Sequence, residues 1–112
     1  MEVKRVKDQE VKETPHKVDV RQMYNKDTAQ AMHITLQPGE GLKPHITPVD
    51  VFFYILEGKP TIRVGEENVQ VEKDSLVESP KDIIHNITNE STELARILVV
   101  KAPKPQNKAK FL

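Results

Sequence analysis

The chain has 112 residues, which suits one domain, and equal numbers of acidic and basic residues give it no net charge. It contains no cysteine, so disulfides, thiolate metal sites and thiol nucleophiles are excluded. The balanced charge gives no reason to expect nucleic acid as a partner. No stretch is apolar over the length of a signal peptide or a membrane span, so we expect a cytoplasmic protein without membrane contact.

Composition divides the chain into three segments. Residues 1–17 are strongly charged and are predicted to form an N-terminal segment outside the domain. Residues 18–102 carry regular apolar patterns and are predicted to form the domain itself. Residues 103–112 contain two prolines and three lysines without an acidic residue, which predicts a mobile basic tail.

The central segment has the patterns of short β-strands. Residues 31–37 alternate apolar and polar side chains, whereas residues 51–58 are almost continuously apolar, which indicates a strand covered on both faces. Valine and isoleucine on either side of Gly65 predict a hairpin. No stretch indicates a convincing helix, so the pattern predicts an all-β sandwich or barrel. The remaining predicted strands are residues 18–23, 75–79, 83–89 and 93–102.

Two spaced motifs stand in this order within the predicted strands. In the first, Gly39 is followed six residues later by His45, and Gly58 closes the motif. In the second, Pro80, His85 and Asn89 have the spacing P-x4-H-x3-N. These spacings resemble the cupin motifs G-x5-H-x-H-x3,4-E-x6-G and G-x5-P-x-G-x2-H-x3-N. The chain is thus similar to the cupin family, and the resemblance implies a jelly-roll, double-stranded β-helix barrel over residues 18–102.

The resemblance also implies a candidate metal site, because cupins hold one divalent metal with three histidines and a glutamate from these motifs. His45 and His85 match the first and last histidines, whereas Thr47 and Val51 occupy the positions of the second histidine and the glutamate. We expect His45 and His85 to lie on adjacent strands, with ring nitrogens within about 5 Å of each other. The imidazole pair would suit Fe, Ni, Zn, Mn or Cu, and two ligands alone would make any such metal labile.

A firm metal site would need a third ligand, and three residues are candidates. Asp50 neighbours the glutamate position, but neighbours on a strand face opposite ways unless a bulge intervenes. His33 shares a strand face with Thr35 and Gln37. This favours an ordinary polar group with hydrogen bonds to backbone or water over a metal ligand. His16 would qualify only if the N-terminal segment folded over the mouth of the barrel, and its charged surroundings favour solvent instead.

The residues around the histidines predict a small, largely apolar pocket. If Val51 faces the interior, Phe53 also faces inward and narrows the space, because alternate residues of a strand share a face. Thr47 would line the same space, and its hydroxyl could hold a water molecule. Such a pocket suits a small, partly apolar ligand better than a polyanion.

Two functions of different class remain open. One is a metal-dependent enzyme such as an oxygenase or isomerase, in which His45 and His85 are ligands. The other is a non-catalytic binding or structural protein with a degenerate metal site, in which the histidines donate or accept hydrogen bonds. The resemblance to small cupins also implies a homodimer, and the strand predicted at residues 18–23 suits an edge or an exchanged strand.

Overall fold

The computed structural model describes residues 1–112, which form two five-stranded antiparallel sheets. The first sheet has the strand order β1-β2-β9-β4-β7 and the second β10-β3-β8-β5-β6. The strands are β1 Asp19–Lys26, β2 Ala29–Leu36, β3 His45–Ile46, β4 Asp50–Glu57, β5 Thr61–Val64, β6 Glu67–Gln70, β7 Leu76–Ser79, β8 Ile84–Thr88, β9 Ala95–Ala102 and β10 Lys110–Phe111. The one helix is a 3-10 turn at Val6–Asp8, and no helix is long and apolar enough to cross a membrane. The prediction of an all-β jelly-roll is confirmed.

The core lies between the two sheets, because the strands turn alternate side chains inward. On β4 the buried residues are Val51, Phe53 and Ile55, and on β9 they are Ala95, Ile97 and Val99. Ile62 and Ile87 close the core from the second sheet. The near-continuous apolar run of β4 is half-buried on its outer face as well, which explains why its sequence lacks a clear alternation.

Two aspartates occupy the turn positions at which the second cupin motif has glycines. Asp74 and Asp82 stand at the two glycine positions, and both have left-handed backbones, with φ of 66° and 65°. Aspartate tolerates this conformation better than most residues do. The turns therefore keep the backbone geometry of the motif although the residue type differs.

The asparagine that ends the second motif has a structural role. Asn89 is buried, and its side-chain amide donates to the carbonyls of Leu36 (2.9 Å) and Glu93 (2.7 Å). Its side-chain oxygen accepts the hydroxyl of Ser91 at 2.7 Å. Asn89 thereby ties the end of β8 to the end of β2 and to the turn before β9.

Both ends of the chain return to the barrel. Residues 110–111 form β10, which pairs with β3 in the register Lys110↔Ile46 and Phe111↔His45. The sequence predicts a mobile tail for these residues. It does not predict the strand, because two prolines interrupt the segment and the partner strand β3 is distant in sequence. At the other end, Val11 forms a bridge with Arg21, and Arg21 donates to the carbonyls of Val6 and Gln9.

Candidate functional site

Strands β3 and β8 bring the two motif histidines together. β3 has only two residues, between Pro44 and Pro48, and pairs with β8 in the register His45↔His85. The two rings meet edge to face with centroids 4.5 Å apart, and their Nε2 atoms are 3.1 Å apart. Both side chains are buried, with 7% and 2% of their surface exposed. The structure thus places the histidine pair on adjacent strands, at one side of the barrel interior.

A directed chain of hydrogen bonds runs through this pair. His45 Nδ1 lies 2.7 Å from the carbonyl oxygen of Lys43, which can only accept, so the proton is on Nδ1 and Nε2 has a lone pair. The 3.1 Å contact then requires His85 Nε2–H as its donor. His85 Nδ1 is left as an acceptor for the hydroxyl of Ser79 at 2.6 Å. Thr47 Oγ1 lies 3.2 Å from the same His85 Nε2–H and accepts a share of it.

The cavity holds these imidazoles in the neutral form. Burial lowers the pKa of His85 to about 3, and repulsion between the two rings when His45 is protonated is the second cause. Burial also lowers the pKa of His45, partly offset by its hydrogen bond to Lys43. Neutral imidazoles can accept hydrogen bonds, donate them or ligate metals. A pKa of about 3 is far below neutral pH, so His85 is poorly matched to general acid–base catalysis there.

The histidines face a cavity of about 190 Å3, called here the histidine cavity. Its wall includes Val51 and Phe53 on β4, and the Phe53 ring meets the His85 ring edge-on at 5.3 Å between centroids. Larger depressions lie on the outside of the protein, such as a cleft of about 730 Å3 along residues 11–19, but no histidine lines that cleft. The histidine cavity is therefore where buried polar chemistry and an apolar wall coincide.

Two aromatic rings from the chain ends cover the mouth of the cavity. Phe111 on β10 stacks on His45 with centroids 5.4 Å apart and an interplanar angle of 28°. His16 lies 4.9 Å from His45 and 5.3 Å from Phe111, again between centroids, and its Nδ1 accepts the backbone N–H of Lys43. Burial, followed by His45, lowers the pKa of His16 to about 4. The expectation of a solvated His16 is therefore not met, because the N-terminal segment folds across the mouth.

Lys101 is a further polar group of the cavity. It follows Ala95, Ile97 and Val99 at the next inward position of β9, and it pairs across strands with Val51. Burial lowers the pKa of its ammonium group. None of the three salt bridges in the protein involves Lys101, and none of the sixteen residues that line the cavity is aspartate or glutamate.

The structure does not bring either of the other third-ligand candidates to the cavity. Asp50 is exposed at the start of β4, and its carboxylate accepts the backbone N–H of Lys81. It faces away because its neighbour Val51 faces inward. His33 is buried on the outer face of β2, where its Nε2 accepts a hydrogen bond from Arg96 and its Nδ1 has no partner. Burial, followed by the charge of Arg96, lowers the pKa of His33.

Sequence reasoning missed three residues of the site, for different reasons. Lys101 follows the alternation of β9, so the period of two could have identified it, but its position beside a lysine-rich tail suggested solvent. Ser79 ends β7 and lies only six residues before His85, but the strand pattern does not show that the turn between β7 and β8 brings the two side chains together. Phe111 lies in a segment without a periodic signal and reaches His45 only through long-range pairing.

Comparisons with known proteins agree with this architecture. The sequence model of the cupin domain matches residues 32–101. The tetracenomycin polyketide synthase protein TcmJ of Streptomyces glaucescens is 33% identical over 78 residues, which cover 66% of this chain and 52% of TcmJ. The chain thus matches about half the length of that relative.

Solved structures share the fold over almost the whole chain. The crystal structure of TT1209 from Thermus thermophilus is 31% identical, with a TM-score of 0.81 over 94% of this chain and 100% of TT1209. The polyketide cyclase RemF from Streptomyces resistomycificus has a TM-score of 0.85 over 100% of this chain and 85% of RemF. Its identity is 15%, so that likeness concerns the fold alone.

Proposed function

Because the chain belongs to the cupin family, we propose that it binds a small, partly apolar molecule in the histidine cavity. The observation that carries this proposal is the convergence of His45 and His85 on a partly open cavity with an apolar wall. Binding sites of this kind combine apolar walls with a few well-placed polar groups. TcmJ is named as a polyketide synthase protein, and polyketides are oxygen-rich molecules, which supports a ligand that carries an oxygen.

The size of the cavity limits the ligand to about one ring. Its volume of about 190 Å3 is close to that of an engineered apolar cavity of about 150 Å3 that binds benzene. A ring would contact Val51 and Phe53, while an oxygen could accept the Nε2–H of His85 in place of His45. The hydroxyl of Ser79 holds the His85 ring in the orientation that aims Nε2–H at this space.

Binding can be tested by NMR titration with phenol, with the imidazole resonances of the four histidines as reporters. We expect the His45 and His85 resonances to shift with a dissociation constant of about 1 mM, since a single ring offers little contact area. His33 is an internal control, because it lies on the outer face of β2 and should not respond. Shifts of equal size at His33 and His85, or no shift at all, would contradict the proposal.

A divalent transition metal on the same pair is a second candidate, favoured by the distance between the two Nε2 atoms. Two nitrogens that ligate one metal at about 2.0–2.1 Å in tetrahedral geometry lie roughly 3.4 Å apart, and the observed distance is 3.1 Å. The donor set fits in spacing but not in number, and His85 Nε2 would ligate a metal only after losing the proton that it donates to His45. No group of three or more histidine, cysteine or acidic side chains is arranged to hold a metal, and the Lys101 ammonium would repel a dication. We therefore propose at most a labile metal.

Elemental analysis can test the metal proposal directly. The protein purified from metal-supplemented medium is compared with a His45→Ala, His85→Ala double variant, and melting curves are recorded with and without a chelator. We expect less than one equivalent of metal, absent from the variant, and little change in Tm on chelation. A loss of many degrees on chelation would indicate a firmly ligated structural metal instead.

The homodimer remains a proposal, which the sheet order supports. β1 lies at the edge of the first sheet, and apart from the bridge between Val11 and Arg21 its outer side has no strand partner. Exposed edges of this kind invite pairing between identical chains. Light scattering at micromolar concentration should give a dimer mass, and a monomer mass would contradict the proposal.

A further inference from the structure

Lys101 places a positive charge in a cavity that holds no negative one. It occupies an inward position of β9, at the end of the row formed by Ile97 and Val99. Its side chain makes no hydrogen bond or ion pair with the protein, and no acidic residue lines the cavity. Most partly buried charges in proteins are paired, so an unpaired ammonium beside a binding cavity needs a physical reason.

We propose that Lys101 is an anion-binding residue, and that the ligand of the histidine cavity carries a negatively charged oxygen. This inference rests on the proposed binding function and narrows its ligand class to carboxylates, phenolates or enolates on a small, apolar frame. The ammonium group would pair with the charged oxygen, and the ring or chain of the ligand would lie against Val51 and Phe53.

One other polar group of the cavity, the Nε2–H of His85, also complements an anion. His85 Nε2–H is a donor directed at the cavity, and its partner there is the nitrogen of His45 rather than a carboxylate. With the three cavity histidines neutral, Lys101 is the one charged side chain on the wall. A bound carboxylate could thus accept from both Lys101 and His85, and charge-assisted bonds of this kind are among the strongest in proteins.

The burial of Lys101 supports this inference. Lysines often lay the aliphatic stem over apolar surface and extend the ammonium into water, which is the ordinary explanation of a half-buried lysine. Here burial lowers the pKa of the ammonium, so its hydration is already reduced before a ligand arrives. An anion that enters the cavity would replace the lost hydration of the ammonium with an ion pair, whereas a neutral molecule of the same shape would not.

The test compares benzoate with benzamide, two probes of the same shape that differ in charge. Dissociation constants are measured at pH 7 and constant ionic strength for the wild type, Lys101→Met and Lys73→Met. Lys73 is exposed in the turn before β7, so its variant removes the same charge far from the cavity. We expect the wild type and Lys73→Met to bind benzoate at least about tenfold more tightly than benzamide. Lys101→Met should lose this preference and keep its affinity for benzamide.

The outcomes separate this inference from the proposed function. If the wild type binds both probes equally, or if Lys101→Met keeps the preference for benzoate, the role of Lys101 is refuted while the binding function stands. If neither probe binds the wild type, the proposed function fails and this inference fails with it. Benzamide binding by Lys101→Met shows that the variant is folded, and Lys101→Gln repeats the comparison with a more polar replacement.

Discussion

The two halves of the barrel interior are built by the same strands, but only one of them contains polar and charged side chains beside its apolar ones. In one half, Leu36, Ile55, Ile87 and Ile97 are fully excluded from solvent and belong to the apolar core cluster. In the other half, three histidines and a lysine stand among apolar side chains such as Val51 and Phe53, and a cavity remains between the sheets. The transition occurs within single strands, because β9 has Ile97 and Val99 at successive inward positions and Lys101 at the next. The apolar half stabilises the fold, and the histidine half is where we propose that a ligand binds.

The largest expected effect belongs to the apolar half. Ile97→Ala removes a fully buried side chain and leaves a void, so we expect the free energy of unfolding to fall by about 2–5 kcal/mol. Urea denaturation measures this change. Val69→Ala is the matched control, because Val69 is 53% exposed on β6 and should change stability by about 0.5 kcal/mol or less. Similar losses for both variants would mean that the core is not concentrated in this half.

Acid should destabilise the protein through the histidine half. The pKa values of His85 and His16 are lowered to about 3 and about 4 from an ordinary value of 6.5. Between the lowered and the ordinary pKa the unfolded chain binds more protons than the folded one, so this stability is fully present above about pH 6.5 and decreases as the pH falls. Each histidine contributes a slope of up to about 1.4 kcal/mol per pH unit.

Urea denaturation between pH 7 and pH 4 can measure this slope. His85→Gln should flatten the dependence by up to one proton, because glutamine does not titrate. An unchanged slope in that variant would show that the acid sensitivity comes from other groups, such as carboxylates that are paired in the folded state.

A smaller effect is expected where the hydrogen-bond chain begins. Ser79→Ala removes the donor to His85 Nδ1 and leaves a buried acceptor without a partner, which costs about 1–3 kcal/mol. Chemical denaturation measures the loss, and the 15N shifts of His85 should report a change in the population of its tautomers. Ser75→Ala is the control, since the Ser75 hydroxyl makes no hydrogen bond in the structure and should be nearly neutral.

The smallest effect on stability belongs to the mouth of the cavity. Phe111 is 42% exposed on a strand of two residues, so Phe111→Ala should lower the free energy of unfolding by less than about 1 kcal/mol. The imidazole resonances of His45 should nevertheless shift, because the stacked ring is lost. Tyr24→Ala, at an exposed position of β1, should leave them unchanged. An unaltered His45 spectrum in Phe111→Ala would show that β10 does not cover the mouth in solution.

Local patterns were sufficient to predict most of the fold. The alternation in β2, the apolar run of β4 and the Gly65 turn all depend on neighbouring residues, and the two motifs placed His45 and His85 on strands of one jelly-roll. The exact ends of strands were less predictable. β1 continues to Lys26, whereas its apolar pattern ends near Met23, because pairing with β2 extends it beyond the buried positions.

The remainder of the site depends on contacts between distant segments. His16 and Phe111 meet over His45 although 95 positions of the sequence separate them, and neither lies in a periodic segment. Ser79 and His85 are only six positions apart, but their contact depends on the shape of the turn between β7 and β8, which the strand pattern does not specify. The inward orientation of Lys101, by contrast, could have been predicted from the alternation of β9. The neighbouring lysines suggested instead that it faces solvent.

The carbonyl oxygen of Lys43 determines which way every proton in the histidine pair points. That oxygen belongs to the main chain, so any residue at position 43 supplies it, and the lysine side chain is irrelevant to its effect. A substitution of Lys43 by any residue except proline therefore keeps this oxygen and the N–H that His16 accepts, and the polarity of the pair is unchanged. The atom that governs this site is one that no comparison of amino-acid identities would reveal.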